Sequence, residues 1–194
     1  MPTKLLLQAA QSQFVMIDLQ VKLAPAMDLV AMQVVTKNCT ILLQAASLMQ
    51  VHTIATEQYP QGLGETLPEL KHYLTNTKLN AKLITKTAFS ACAEPAFKQH
   101  LHSDKTQIVL TGMEAHICVL QTALNLLQAN KQVFVVEDAV ISRNNSNQIS
   151  ANKANAIARL RDAGCIITNT ESVVFEWLGD ANHEAFKAIS KLIR

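Results

Sequence analysis

Short apolar runs of strand length alternate along the chain with longer stretches in which apolar residues recur every three or four positions. Phe14, Val15, Met16 and Ile17 form the first run, which ends at Asp18. Over 28–50 the positions Val34, Val35, Ile41, Leu42, Ala45, Ala46 and Met49 fall at helical spacing and predict a helix with one apolar face. A strand follows over 51–56, then a turn-rich segment holding Pro60, Gly62 and Gly64, then a short strand over 82–85. Residues 107–111 read as a strand closed by Gly112. Val119, Thr122, Ala123, Leu126 and Leu127 stand at i, i+3, i+4, i+7 and i+8, which is one face of an amphipathic helix. A strand over 133–136 is closed by Glu137 and Asp138, a helix over 148–162 is stopped by Gly164, and a last strand covers 165–168. Two further helical patterns run from Glu171 to the end.

Repeated strand–helix–strand order with near-continuous apolar strands implies a mainly parallel sheet covered by helices on both faces, a three-layer α/β/α architecture. No linker-like segment or repeat interrupts it, so residues 1–194 read as one domain. Composition supports this: 49% apolar and 16% charged residues suit a globular chain. With 17 basic and 15 acidic side chains the net charge is only +2, and the basic residues are scattered, which points away from nucleic acid as a partner. None of the four cysteines, Cys39, Cys92, Cys118 and Cys165, sits in a C-x-x-C pair, so no disulfide framework is expected. The start has no leader pattern beyond the brief run Leu5 to Leu7, and no apolar run approaches the ~20 residues of a membrane span. The sequence therefore predicts a cytoplasmic protein with no membrane partner.

Ligands of parallel α/β sheets bind beyond the carboxyl ends of the strands, near the point where strand order reverses. That rule selects Asp18 after the first strand, Lys86 after the third, and the segment Gly112 to Cys118 after the fourth. A base, a cation and a nucleophile thus fall on one rim. Cys118 begins the amphipathic helix, where free N–H groups and the helix dipole favour a thiolate, so its position predicts a thiol pKa below the ordinary value. Each residue also has a plainer reading: Cys118 as a small buried hydrophobe, Asp18 as a strand-end cap, Lys86 as a solvated lysine. His116 is a rival base, although i and i+2 point apart on a helix. Asp138 shares the rim but reads as a cap of the following turn. His100 and His102 read as solvated, Phe175 and Trp177 as packing or interface residues, and Cys39, Cys92 and Cys165 as structural.

The runs Phe14-Val15-Met16-Ile17-Asp18-Leu19-Gln20, Thr85-Lys86-Thr87-Ala88-Phe89-Ser90 and Gly112-Met113-Glu114-Ala115-His116-Ile117-Cys118 resemble, in order and spacing, the three active-site segments of the isochorismatase-like cysteine hydrolases. The stretch from Thr56 to Gly64 and the ending Gly179 to Lys187 look like the isochorismatase-domain-containing branch. The resemblance implies a six-stranded sheet of order 3-2-1-4-5-6 and a Cys-Asp-Lys triad. Asp18 would take the thiol proton, Lys86 would hold both partners, and Cys118 would attack a carbonyl carbon to give a thioester. It also implies a cis peptide between Met113 and Glu114, with an oxyanion hole built from backbone N–H groups near Glu114 and Cys118. Isochorismatase itself lacks the cysteine, so Cys118 favours hydrolysis of a small amide or related carbonyl compound. Nicotinamidases of this family hold a metal through an aspartate and histidines after the second strand. Here that region reads Glu57-Gln58-Tyr59-Pro60, so neither a metal nor another cofactor is implied. Gln20, Glu57, Tyr59 and Phe89 become candidate substrate-binding residues. The family also implies a homo-oligomer, a dimer or larger. Two other readings stay open on the same fold: an interaction protein with an idle pocket, and a redox-responsive thiol.

Overall fold

The computed structural model describes residues 6–75, 79, 81–143 and 151–193. In chain order its elements are β1 (Ser12–Ile17), α1 (Leu29–Leu48), β2 (His52–Gln58), the short α2 (Pro60–Leu63), α3 (Pro68–Leu74), β3 (Ala81–Lys86) and α4 (Pro95–His100). The second half holds β4 (Gln107–Met113), a π-helical turn (Ala115–Val119) that runs into α5 (Leu120–Gln128), and β5 (Gln132–Ile141). α6 (Ala151–Asp162), β6 (Ile166–Thr168), α7 (Thr170–Leu178) and α8 (Phe186–Leu192) complete the chain. The six strands form one sheet of order β3-β2-β1-β4-β5-β6, and every pairing in it is parallel.

β1 lies between β2 and β4 and is buried along its whole length. Side chains alternate across a strand, so Phe14 and Met16 enter one core while Val15 and Ile17 enter the other. The first core is closed by α1, α3, α7 and α8, through residues such as Leu42, Leu70, Trp177 and Ile189. The second is closed by α4, α5 and α6, through Phe97, Leu126 and Leu160. Strands buried on both faces need apolar residues at every position, which is why they read as continuous runs.

α1 starts where Asp28 accepts a hydrogen bond from the Ala31 N–H at 2.9 Å, an N-cap. Its inward face carries Met32, Val35, Cys39, Leu42, Leu43 and Ala46, whereas Val34, expected on that face, is 48% exposed. At 20 residues and high mean hydropathy, α1 is long and apolar enough to cross a membrane, which corrects the expectation that no segment approaches that length. Here it lies along the sheet with that face in the core.

Several strand ends also need correcting, among them that of β2, which continues past residue 56 to Gln58. β4 continues through Gly112 to Met113, and β5 continues past the acidic pair Glu137 and Asp138 to Ile141. The register between them jumps from Leu110↔Val135 to Gly112↔Val140, so an irregularity accommodates the acids and apolar pairing resumes beyond it. The start of the helix expected over 148–162 lies outside the described residues; from Ala151 it is helical.

Candidate active site

Strand register brings the site together. Ile17 stands opposite Thr56 on one side and Gly112 on the other, so Asp18 emerges between the ends of β2 and β4. Lys86 ends β3 directly opposite Gln58 of β2. Asp18 takes the left-handed conformation, φ 49°, which a non-glycine residue adopts only when its surroundings hold it there. One restraint is its N–H, which donates to the Thr56 carbonyl at 3.1 Å. Beside it, a Cβ on Gly112 would sit 2.0 Å from the Ile17 carbonyl oxygen, so only glycine lets β4 approach β1 this closely. Cys118 follows in the π-helical turn after β4, and the Met113–Glu114 peptide bond between them is cis.

The Lys86 ammonium lies 2.7 Å from Asp18 Oδ2, with both side chains fully buried. Asp18 Oδ1 accepts from Thr56 Oγ1 at 2.6 Å. Oδ2 has no hydrogen-bond partner besides the ammonium among the described residues, and the Cys118 thiol lies close enough to feel the charges of both Asp18 and Lys86. Lys86 also donates to the Gln58 side-chain oxygen and toward the carbonyls of Ala88 (3.2 Å) and Phe89 (3.1 Å). Of the three, Cys118 has the most surface, 7% exposed against 0% for Asp18 and 3% for Lys86.

Burial, reinforced by the Asp18 carboxylate, pushes the Cys118 thiol up to about 12 despite the opposing pull of Lys86. This reverses the direction expected from the helix start alone. The ammonium faces an anion already present at 2.7 Å, so little of its field remains to ionise a second group. Burial therefore favours the neutral thiol over the thiolate, with the Asp18 carboxyl group close beside it.

The other predicted residues take varied places. Gln20 is fully buried; its Nε2 donates to the carbonyls of Gln58 (3.0 Å) and Gly64 (2.6 Å), and its Oε1 accepts from the Gln58 N–H at 2.7 Å. Glu57 is also buried, and its Oε1 accepts from the Thr66 N–H and hydroxyl at 2.6 and 2.8 Å. Both therefore spend polar groups on the frame behind the site. Tyr59 and Phe89 are more than half exposed and flank Lys86: the Tyr59 N–H donates to the Lys86 carbonyl at 2.8 Å, and Phe89 supplies one of the ammonium's acceptors.

Met113 is fully buried in the core. Glu114 is bound by Arg143, which donates to both carboxylate oxygens from Nε (2.9 and 3.0 Å) and again from its backbone N–H (3.0 Å). Burial pushes the Glu114 carboxyl up, but the hydrogen bonds and charge of Arg143 outweigh it and hold the group below the ordinary carboxylate range. His116 turns its Nδ1 to Ser142 Oγ at 2.9 Å. Asp138 accepts from the N–H and hydroxyl of Thr170 at 2.9 Å each, so it caps the first turn of α7 rather than the turn after a strand end. His102 stacks on His52 with ring centroids 4.3 Å apart, at the opposite end of the sheet. Trp177 is a core residue, its Nε1 donating to Ser12 Oγ at 3.0 Å, and Phe175 packs at a tilt on Phe186. Sequence reasoning missed Thr56, Gln58 and Arg143, whose roles depend on register and chain return rather than on any local pattern.

Residues 12–172 match the isochorismatase domain family. Isochorismatase domain-containing protein 2 from Bos taurus is 39% identical over 155 residues, 79% of this chain and 70% of that protein. A ribonuclease, MAR1, from Caenorhabditis elegans superposes with a TM-score of 0.87 at 35% identity, covering 96% of this chain and 91% of that one. YcaC from Escherichia coli, an octameric hydrolase of unknown specificity, shares the fold at a TM-score of 0.87 and 21% identity, covering 100% and 91% of the two chains. With a family match over most of its length and the six-stranded parallel order 3-2-1-4-5-6, the chain belongs to the isochorismatase family, in the likeness of its isochorismatase domain-containing members.

Proposed function

We propose that this protein is a cysteine hydrolase of a small amide or related carbonyl compound, with Cys118 as nucleophile. The observation that carries the reading is the buried Lys86–Asp18 pair at 2.7 Å, with the Cys118 thiol close enough to feel both charges. The thiol proton passes to Asp18 as the sulfur bonds to the substrate carbonyl carbon. Because the proton moves within the pair, this step needs no change in the site's net charge and no freely ionised thiolate at rest. Backbone N–H groups of Glu114 and Cys118 stabilise the tetrahedral oxyanion. The carbon–nitrogen bond breaks, the departing amine takes the proton from Asp18, and a thioester remains on Cys118. Water then attacks that thioester and gives a proton to Asp18, and the sulfur leaves and recovers it. Lys86 acts as an electrostatic anchor, since its ammonium protons face Asp18, Gln58 and the carbonyls of Ala88 and Phe89.

A phosphodiester substrate, suggested by the Caenorhabditis elegans neighbour, fits this site less well. Lys86 and Arg143, the cations described near the cysteine, are each committed to a carboxylate, and the net charge is only +2. Self-association belongs to the same proposal: α1 leaves Leu29 and Val30 at 72% and 67% exposure, and the Escherichia coli neighbour is octameric. Light scattering that finds only monomer would exclude it.

The test is a panel of small primary amides, carbamoyl compounds and oligoribonucleotides offered to the parent and to Cys118→Ala. Turnover of an amide that the substitution abolishes, with an acyl mass on the Cys118 peptide after acid quench, supports the reading. Turnover that survives Cys118→Ala contradicts it.

A further inference from the structure

We infer that Gln58 is a positioning residue that fixes the Lys86 ammonium against the Asp18–Cys118 pair and is itself locked in place by Gln20. The inference rests on the reading of Cys118, Asp18 and Lys86 as the reacting group, and it explains two glutamines that this chemistry leaves without a task.

The arrangement is built in three tiers. Gln20 is 0% exposed and uses both ends of its amide on one residue: Oε1 accepts from the Gln58 N–H at 2.7 Å and Nε2 donates to the Gln58 carbonyl at 3.0 Å. A paired donor and acceptor on the main chain of one residue fixes its position and its orientation together. Nε2 also donates to the Gly64 carbonyl at 2.6 Å, which ties the same amide to the end of α2. The Gln58 side chain extends this lock outward. Its Nε2 donates to the Thr87 carbonyl at 2.7 Å, which settles which end of the amide faces Lys86, and its Oε1 accepts from the ammonium.

The inference depends on how Lys86 is otherwise held. A lysine carries a compact charge on a flexible four-carbon stem. The carbonyls of Ala88 and Phe89 lie at 3.2 and 3.1 Å and come from the chain just beyond Lys86 itself, so they move with it. Asp18 is the group that the ammonium must serve. Among the described residues Gln58 is therefore the neutral hydrogen-bond partner that reaches the ammonium from a different strand, and it does so from the position paired with Lys86 in the sheet. A neutral acceptor suits the role. A carboxylate there would compete with Asp18 for the positive charge, whereas an amide oxygen holds the group and leaves the charge available.

The consequence can be read without a substrate. Asp18 and Cys118 share one negative charge, which Lys86 balances. If the ammonium drifts, the pair takes up a proton at higher pH and the thiol loses its base. The rate of Cys118 alkylation by iodoacetamide, followed by mass spectrometry against pH, reports this as the position of its acid limb. In Gln58→Met that limb is expected to move up by about one pH unit, which is about a tenfold loss of rate at fixed pH on the limb. Gln58→Asn keeps an amide but withdraws it by one methylene, and is expected to move the limb in the same direction by less; it serves if the methionine variant does not fold. In a Lys86→Met background, Gln58→Met should produce no further shift, because Gln58 acts only through the ammonium.

A residue that merely supports the fold would lower the melting temperature and leave the limb where it is in the folded fraction; that result overturns the inference. A further shift in the Lys86→Met background overturns it as well. If Lys86→Met itself leaves the limb unmoved, the fault lies one level down, in the reading of Lys86 as the anchor of the pair. If Lys86→Met moves the limb and neither Gln58 variant does, the reading of the site stands and the role of Gln58 fails alone.

Discussion

The two ends of the same sheet use polar side chains for opposite purposes. At the amino end they are spent on the backbone. Gln13 donates to the His100 carbonyl at 2.8 Å and accepts from the His102 N–H at 3.1 Å, Lys105 reaches the Ala10 carbonyl, and Lys131 reaches the carbonyls of His102 and Lys105. Gln107 ties the chain at Leu6 and Gln8 to the start of β4. Each group answers an orphaned loop amide or carbonyl, and stability is the return. At the carboxyl end Asp18, Lys86 and Cys118 face one another, buried, and the backbone is bent to make them do so: Asp18 and Tyr59 have φ of 49° and 38°, and Gly112 has 116°. The lesson is that burial and hydrogen bonding alone do not mark a site. What distinguishes the carboxyl end is a buried carboxyl group, ammonium and thiol gathered together, whereas the Lys105–Asp104 pair at the amino end is open to solvent.

Mutations at the two ends should therefore separate activity from stability. Replacing Cys118 by alanine removes the nucleophile, and turnover should fall by about a thousandfold or more with little change in melting temperature. Asp18→Asn removes the proton acceptor and should slow turnover by about 10²–10⁴-fold. It also leaves Lys86 without its counter-charge, and breaking a buried pair costs about 3–5 kcal/mol, so chemical denaturation should show a large loss of stability as well. At the other end, Gln13→Leu deletes two hydrogen bonds to a loop and should cost about 1–3 kcal/mol while leaving the turnover rate of the folded protein unchanged. If Gln13→Leu abolished activity while Cys118→Ala did not, the contrast would be reversed.

The smallest effect concerns acid stability. Arg143 holds the folded Glu114 carboxyl below its ordinary range. A carboxyl depressed on folding adds stability that is present above its unfolded pKa and is lost as pH falls through the folded value. The half-exposed Arg143 side chain weakens the effect through solvent screening. Arg143→Met should thus flatten the fall in melting temperature on the acid side of about pH 4.5. An unchanged acid slope would show that the ion pair contributes nothing to folding.

The sequence placed Asp18, Lys86 and Cys118 on one rim because apolar runs mark strands, and strand ends in a parallel sheet share an edge. The partners were hidden for a related reason. Thr56 meets Asp18 only through the pairing of β1 with β2, and Gln58 meets Lys86 only through that of β2 with β3. Glu114 finds Arg143 only where β5 continues past its acidic pair, and charges at 137 and 138 read as an ending. Position alone points the Cys118 shift the wrong way because a helix start is visible in a sequence and the depth of burial is not. Val34 failed for the opposite reason: an apolar side chain fits the helical period and still faces outward.

In the proposed mechanism Asp18 receives the Cys118 proton within a pair whose total charge stays fixed. Its most direct test is the pH dependence of Cys118 alkylation in the parent and in Asp18→Asn. The parent is expected to show a plateau across neutral pH, where internal proton exchange makes the rate insensitive to pH, followed by a second rise toward the raised thiol value of about 12. Asp18→Asn should lose the plateau and keep only the alkaline rise. A single rise in the parent with its midpoint at or below that of a free thiol, unchanged by Asp18→Asn, would contradict it.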